Sequence, residues 1–437
     1  MKIGILGGGL TGLSLGYFLQ EKGIAFEILE KENECSGLCK TIQEDGFTFD
    51  CHGGHIIFSK DKEIMDFMLM LLGKNKSQHK RNAKILYKDN FVKYPFENGL
   101  NDLSKEENYE CLIGFIKTLN VKDKPKNFRE WILQTFGRGI AEKYLIPYNE
   151  KIWNFPTENM ATFWVADRVP KPPIEDVIKS ALGITTEGYT HQLYFYYPKE
   201  GGIQSLTNSI FEKISTKVTT GFEVRSIRKN DKWTVSDGSN EKIFDVLIST
   251  IPILDLVRSI DYDIQKEILD AVNGLKFNSL MTILLGFDYT SDNDKHWLYL
   301  PDTEILSHRT IFLNNYSAEA VPEGKSSIIA EITYNEGDKV SKMSDKEIID
   351  HVLDGLQERN LANKNKICYS KVMRAKYAYV VYDLAYEQNI KTIYVYFKKI
   401  GILLCGRFSE FKYMNMDACI RSAKNTAEKI KTDKKGG

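Results

Sequence analysis

The sequence has no excess of charge of either sign: lysine and arginine together number 59, as do aspartate and glutamate, in 437 residues. A chain so balanced carries no global basic field for nucleic acid and no acidic excess of the kind that keeps a chain unfolded. No apolar run reaches the roughly 18 residues that cross a bilayer, so no transmembrane segment is expected. Residues 1–30 are laid out as a nucleotide-binding unit rather than a signal peptide, and a cytoplasmic location is expected. Paired C-x-x-C spacing is missing as well. Seven cysteines, an odd number, suit reduced buried thiols better than a disulfide framework or a zinc site, and no metal is expected. Cys35 and Cys39, the closest pair, are expected only to pack. Internal repeats and low-complexity linkers are absent. A chain this long exceeds one ordinary core, so two or three lobes are expected.

What is present is concentrated at the start. The run Ile3-Gly4-Ile5-Leu6 ends in Gly7, Gly9 and Gly12 at G-x-G-x-x-G spacing, and a helical pattern follows through Leu13, Tyr17, Phe18 and Leu19. Gly23 stops that helix, a second strand Ala25–Leu29 follows, and an acid, Glu30, stands where it ends. Gly7 permits the tight turn, Gly9 lets backbone N–H groups approach a pyrophosphate, and Gly12 allows close packing of helix on strand. The positive end of the helix dipole then faces the anion. Glu30 is placed to accept hydrogen bonds from an adenosine ribose. Three glycines alone would be weak evidence; strand, turn, helix, strand and acid in register make a dinucleotide site.

A second small-residue turn follows at Cys35–Thr41, then an alternating strand Gly46–Asp50 and the loop Gly53-Gly54-His55-Ile56-Ile57-Phe58. That layout suits an FAD enzyme, in which the second turn approaches the flavin end, better than a nicotinamide enzyme. Tyr94-Pro95-Phe96 is expected on an edge because proline cannot donate to an interior ladder. Apolar residues at three- and four-residue steps predict helices over Tyr109–Leu119, Phe128–Phe136 and Gly139–Leu145, ended by the prolines at 170, 172 and 173. Leu193–Tyr197 reads as a strand, and Pro198–Gly202 opens a helix from Ile203 to Ile214 that either faces the flavin or only turns a corner. Strands are expected over Val218–Thr250 and again at Thr282–Phe287, Trp297–Leu300 and Ser327–Thr333. The second sheet either floors a substrate pocket or is a packing layer; the Trp, Tyr, Arg and Asn around it favour the pocket. Near the end, Gly401–Arg407 is a buried strand running into a loop. Met416-Asp417 precedes a helix from Ala418 to Ile430, whose N-terminus would stabilise negative charge on a flavin pyrimidine. The tail Lys431–Gly437 is charged and expected to fray.

These blocks, with Pro147-Tyr148-Asn149 and Trp153, Trp297-Leu298-Tyr299, and Gly406-Arg407-Phe408 with Tyr413, together resemble the UDP-galactopyranose mutases. The likeness is greatest to the eukaryotic-type branch, within the amine-oxidase-like FAD superfamily, and covers nearly the whole chain. It implies an α/β fold: a Rossmann-like FAD-binding domain (1–98, 199–278 and 390–437), an inserted helical lobe (99–192) and a second, mostly antiparallel sheet domain for substrate (193–198 and 279–389). It implies non-covalent FAD, active when reduced, in a redox-neutral pyranose/furanose isomerisation of a nucleotide sugar for surface-glycan biosynthesis. An electron donor such as a reduced nicotinamide and possible homo-oligomerisation go with it.

Residue by residue, the resemblance implies a cofactor set of Gly7, Gly9, Leu10, Thr11, Gly12, Glu30, Lys31, Gly37, Leu38, Gly54, His55, Val224, Gly406, Arg407, Met416 and Asp417. It implies catalytic roles for His55, Arg309 and Arg407, and substrate contacts by Tyr94, Phe96, Asn149, Trp153, Tyr196, Trp297, Tyr299, Tyr379 and Tyr413. Several positions stay open. His55 either hydrogen-bonds the flavin edge or caps its own loop; His308 competes with Arg309 for the anion position; Trp297 and Tyr299 line the sugar pocket or are core. Two departures stand out: Tyr196 replaces a diphosphate arginine of the family pattern, and Glu97 replaces a glutamine after Tyr-Pro-Phe. An FAD oxidoreductase of amine-oxidase or protoporphyrinogen-oxidase type is the alternative, in which the flavin accepts hydride; a flavin-binding protein without turnover is a third class. An aromatic cage in an apolar pocket would favour the oxidase, and paired cations with tyrosines the mutase.

Overall fold

The computed structural model describes residues 1–165, 168–169, 171–188 and 193–430. Pro170 of the proline-rich turn and the tail Lys431–Gly437 lie outside the described residues. Five parallel strands form the first sheet, in the order Ile402–Leu404, Val246–Ser249, Lys2–Leu6, Ala25–Leu29, Val218–Thr219. Its central strand is buried from Ile3 to Leu6, as a strand covered on both faces must be. The helix Leu10–Glu21 lies against it and packs on the helices Gln204–Ile214 and Met416–Lys429. Gly12 makes the close approach possible: a Cβ there would stand 1.9 Å from the Gly7 carbonyl oxygen.

A seven-stranded sheet forms the second layer, in the order Ile367–Val381, Lys276–Phe287, Ser326–Tyr334, Arg309–Ile311, Trp297–Tyr299, Ala83–Tyr87, Asn90–Lys93. All its neighbours are antiparallel except the pair Trp297–Tyr299 and Ala83–Tyr87. The central strand Lys276–Phe287 shows why the sequence there is almost continuously apolar. Met281, Ile283 and Leu285 pack with Ile348, Val352 and Leu356 beneath the helix Asp345–Glu358, while Leu280 and Leu284 face the opposite side. That helix is fixed at its start by a reciprocal capping box between Ser344 and Glu347.

Between the sheets' contributions the chain makes helices Lys105–Thr118, Phe128–Ile140, Ile146–Trp153 and Ile174–Ala181. The helix Ile146–Trp153 was not foreseen because it contains Pro147. Proline is tolerated there because it stands in the first turn, where no intrahelical N–H is required. Two other differences concern strands. Tyr194–Tyr197 pairs with Ser77–Lys80 in a separate two-stranded ribbon rather than with the large sheet. Ile367–Val381, a 15-residue edge strand, was not foreseen because Lys371, Arg374 and Lys376, spread over both of its faces, break the apolar alternation. Among the described residues no helix is long and apolar enough to cross a membrane, and no group of three or more His, Cys, Asp or Glu is arranged to hold a metal. All seven cysteines are free thiols.

Candidate functional site

The two glycine turns face one another across the mouth of a cavity of about 1450 Å³ that runs from the parallel sheet to the seven-stranded one. Gly37, at φ +56°, approaches Gly9 so closely that a Cβ on it would lie 3.0 Å from the Gly9 Cα. The helix Leu10–Glu21 begins here with no side-chain cap and no acid in its first turn, so its first N–H groups and its positive end are left to the cavity. Glu30, almost fully buried, accepts from the Gly8 N–H at 2.6 Å through Oε2 and from the Glu32 N–H at 2.9 Å through Oε1. It therefore braces the turn as well as lining the cavity.

Of the residues singled out from the sequence, Gly7, Gly9, Leu10, Thr11, Glu30, Lys31, Gly37, Leu38, Gly54, His55, Val224, Arg407, Met416 and Asp417 line this one cavity. So do Tyr94, Asn149, Trp153, Trp297, Tyr299, Arg309, Tyr379 and Tyr413. Four do not. Gly12 packs helix on strand, and Gly406, at φ +89°, lets the chain pass Thr11, whose Oγ1 would stand 2.5 Å from a Cβ there. Phe96 is fully buried and stacks on Tyr144 at 5.2 Å, so its ring is a support behind the wall. Tyr196 lies on the two-stranded ribbon, bridged to Ile57, and not on the cavity. The missing charge at position 196 is thus not missing from the site.

Arg309, not His308, points into the cavity, and it is compensated. Its Nε donates to Glu331 Oε2 at 2.7 Å and its Nη2 to Glu331 Oε1 at 2.6 Å, from directly opposite residues of neighbouring strands. Glu331 is completely buried and also accepts the Gly54 N–H at 2.9 Å, while Arg309 Nη2 donates to the Gly54 carbonyl at 3.2 Å. Burial alone would raise the Glu331 carboxyl, but the Arg309 guanidinium beside it holds it well below the usual carboxylate range. Together the pair clamps the Gly53-Gly54-His55 loop from beneath. His55 is driven down to about 4 by burial, with Arg309 adding to the effect, so the imidazole is neutral at neutral pH. Its Nδ1 is buried without a partner among the described residues. His308 is fully buried behind Tyr148 and Tyr379, its ring 6.5 Å from each.

The other cations gather round Tyr413. Two guanidinium carbons lie over its ring, Arg168 at 4.3 Å and Arg407 at 4.6 Å from the centroid. Arg168 also donates to the Tyr413 carbonyl. Arg407 donates to the carbonyls of Met414 at 2.7 Å and Ala378 at 2.5 Å, and its Nε is buried without a partner among the described residues. Tyr379 and Trp153 complete the cluster, 5.8 and 5.5 Å from Tyr413. Trp153 Nε1 donates to Asn149 Oδ1 at 3.1 Å, one helical turn back, and Asn149 Nδ2 donates to the Leu145 carbonyl. Tyr299 packs between Tyr94 at 4.8 Å and Tyr148 at 5.3 Å. The hydroxyls of Tyr148, Tyr299, Tyr379 and Tyr413 have no protein hydrogen-bond partner among the described residues, and all four rings line the cavity.

Sequence reading missed Arg168, Tyr144 and Trp164 on this wall, and Glu331 beneath it. Arg168 follows a helical stretch and precedes prolines, a position with no periodic signal, and Glu331 sits unmarked inside an apolar strand.

The comparisons agree with this geometry. Residues 10–431 match the family described as flavin containing amine oxidoreductase. The chain belongs to that family. Within this flavin-containing family it is similar to a UDP-galactopyranose mutase of Mycoplasma pneumoniae (strain ATCC 29342 / M129 / Subtype 1), 26% identical over 169 residues. That match covers 36% of this chain and 41% of the relative, less than half of the relative's length. A crystal structure of reduced UDP-galactopyranose mutase superposes with a TM-score of 0.90 at 26% identity, covering 98% of this chain and 94% of the other. A candidate protoporphyrinogen oxidase of Exiguobacterium sp. 255-15 shares the fold, with a TM-score of 0.77 at 17% identity over 98% of both chains. Mutase-like and oxidase-like relatives therefore share one scaffold, and the family's flavin fits the residues present here. Two glycine turns in near contact, an uncapped helix start and the orphaned nitrogens of His55 and Arg407 are what a flavin dinucleotide along this cavity would satisfy.

Proposed function

We propose that the protein is a flavoenzyme isomerising a nucleotide sugar between pyranose and furanose forms, without net redox change, in the assembly of surface glycans. One observation carries the reading: Arg168 and Arg407 both lie over the Tyr413 ring at the tyrosine-lined end of the same cavity on which the glycine turns open. When bound, FAD in its reduced form supplies an electron-rich nucleophile, and a reduced nicotinamide is the proposed electron donor. The protein's part is to bind and orient. The N–H groups at the start of Leu10–Glu21 hold the dinucleotide pyrophosphate, and Glu30 meets its ribose. His55, neutral and set on a loop clamped by Arg309 and Glu331, offers a hydrogen bond to the flavin edge. Arg168 and Arg407, with the hydroxyls of Tyr379 and Tyr413, hold a diphosphate leaving group; Trp153, Trp297 and Tyr299 wall the sugar and exclude water. Residues 1–98, 199–278 and 390–437 are proposed as the cofactor domain, 99–192 as the helical lobe, and 193–198 with 279–389 as the substrate-binding sheet domain, to whose sheet Ala83–Tyr87 and Asn90–Lys93 of the first range also contribute.

A second reading, an amine-oxidising flavoenzyme, draws on the ring pair Tyr379 and Tyr413, whose centroids are 5.8 Å apart. The Arg407 guanidinium, 5.5 Å from the Tyr379 ring and 4.6 Å from the Tyr413 ring, opposes a cationic amine there, which favours the first reading. The test is incubation of the dithionite-reduced protein with UDP-galactopyranose and, separately, UDP-galactofuranose, followed by chromatography. Interconversion without consumption of reductant supports the proposal. Oxygen-dependent peroxide release from an amine, with no interconversion, would transfer the assignment to the second reading.

A further inference from the structure

The helices Lys105–Thr118 and Phe128–Ile140 form an antiparallel hairpin whose connecting tip is exposed throughout residues 119–124. At this tip Ile116, Leu119 and Val121 are 38%, 46% and 46% exposed. Scattered exposed apolar residues need no explanation, but these three share one short segment with four lysines, at 117, 122, 124 and 126, against a single acid, Asp123. A locally basic segment in a chain of zero net charge is already unusual. None of the four ammonium groups has a carboxylate within 4 Å among the described residues, Glu130 being taken up by the Lys126 backbone N–H at 2.8 Å, whereas Lys62, Lys266 and Lys346 are paired with an acid one turn away. The helix Ile174–Ala181 offers the contrast: it also exposes Ile174 and Ile178, but its Lys179 is neutralised by Glu175 at 2.7 Å.

We propose that the tip of this hairpin docks the protein on an anionic lipid bilayer, with Leu119 and Val121 entering the headgroup boundary and the surrounding lysines meeting anionic headgroups. The argument is charge complementarity at a place where apolar side chains project. An anionic leaflet attracts basic residues lying within a Debye length of it, and apolar side chains at the same point add a short-range term that salt does not screen. The docking is reversible, because a few side chains give a marginal anchor compared with a spanning helix.

Co-sedimentation of the full chain with vesicles tests this, using phosphatidylcholine alone and an equal mixture of phosphatidylcholine and phosphatidylglycerol, at low and high salt. Binding is expected to the anionic vesicles only, to weaken with salt, and to fall about fivefold for each of Lys122→Gln, Lys124→Gln and Lys126→Gln. The double variant Leu119→Ser, Val121→Ser is expected to lose about tenfold. Circular dichroism of each variant should match wild type, since all these side chains are exposed. The proposal is overturned if the chain ignores anionic vesicles or binds both kinds equally. It is overturned equally if the serine variant binds as wild type while the lysine variants do not, which would leave plain counter-ion attraction.

Discussion

Glu97 offers a direct test of how the interior of this protein treats charge. It stands on the short turn Phe96–Asn98, is 8% exposed, and is faced by its own backbone amide and by the neutral ring of Tyr144. Burial pushes its carboxyl from an ordinary 4.5 up to about 7. A carboxyl raised in this way is held neutral by the fold. Its contribution to stability is complete below the unfolded value and is lost as pH rises through 7, because the folded chain must then bury an ion that the unfolded chain hydrates. The difference corresponds to roughly 3 kcal/mol between pH 4 and pH 8, an upper figure given solvent relaxation around a buried site. Glu97→Gln keeps the shape and removes the titration. Urea unfolding followed by tryptophan fluorescence should therefore find the variant near wild type at pH 5 and more stable by about 1–3 kcal/mol at pH 8. Equal stability differences at both pH values would refute the reasoning.

Further outcomes follow from the same geometry. Glu331→Ala leaves Arg309 buried beside no counter-charge and should cost about 3–5 kcal/mol in urea unfolding; a loss under 1 kcal/mol would show that water reaches the pair. His296 accepts the Asn82 N–H at 3.0 Å through Nδ1, and burial lowers it to about 4. Stability that depends on this neutral ring is present above pH 6.5 and lost as pH falls towards 4, so His296→Asn should flatten the acid limb of a stability profile. Gly37→Val puts a branched side chain at φ +56° against Gly9 and should yield colourless protein, read by absorbance at the flavin band. Arg168→Ala should weaken UDP binding by ~1.5–3 kcal/mol in calorimetry, while Tyr196→Arg, off the cavity, should leave it unchanged.

Local chemistry made the cofactor half of the cavity legible. Gly7, Gly9, Gly12 and Glu30 are bound to one another by short-range geometry, so spacing alone carries their arrangement, and the short strands around them are apolar because both faces are covered. The substrate half is assembled from residues far apart in the chain. Tyr413 meets Arg168 across 245 positions, and Arg309 meets Glu331 only because two strands take one register out of several. Nothing in the sequence near Glu331 distinguishes it from an exposed acid on an alternating strand. Tyr196 was misjudged for a related reason. The Pro-x-x-Gly-Gly turn after it is local and readable, but which neighbour its strand joins is not, and pairing with Ser77–Lys80 carries its side chain away from the cavity.

The placement of the guanidiniums separates two tasks that a sequence pattern merges. An arginine whose donors are spent on a buried carboxylate contributes little net field to a ligand, and Arg309 is in that position: Glu331 cancels its charge, and the pair's hydrogen bonds go to Gly54. Its effect on chemistry is exerted through the loop that carries His55. Arg407 is bound to neutral carbonyls and lines the cavity with no ion pair among the described residues, so its positive charge persists into the site. Arg168 lies over the same Tyr413 ring. The two guanidinium carbons lie 4.3 and 4.6 Å from one ring centroid, and an anion beside them would meet the charge of Arg407. A diphosphate has the charge and the acceptor oxygens to do so, whereas a neutral or cationic substrate does not. Under the proposed function, residues outside the cofactor motif are what would turn a scaffold shared with oxidases towards an anionic substrate.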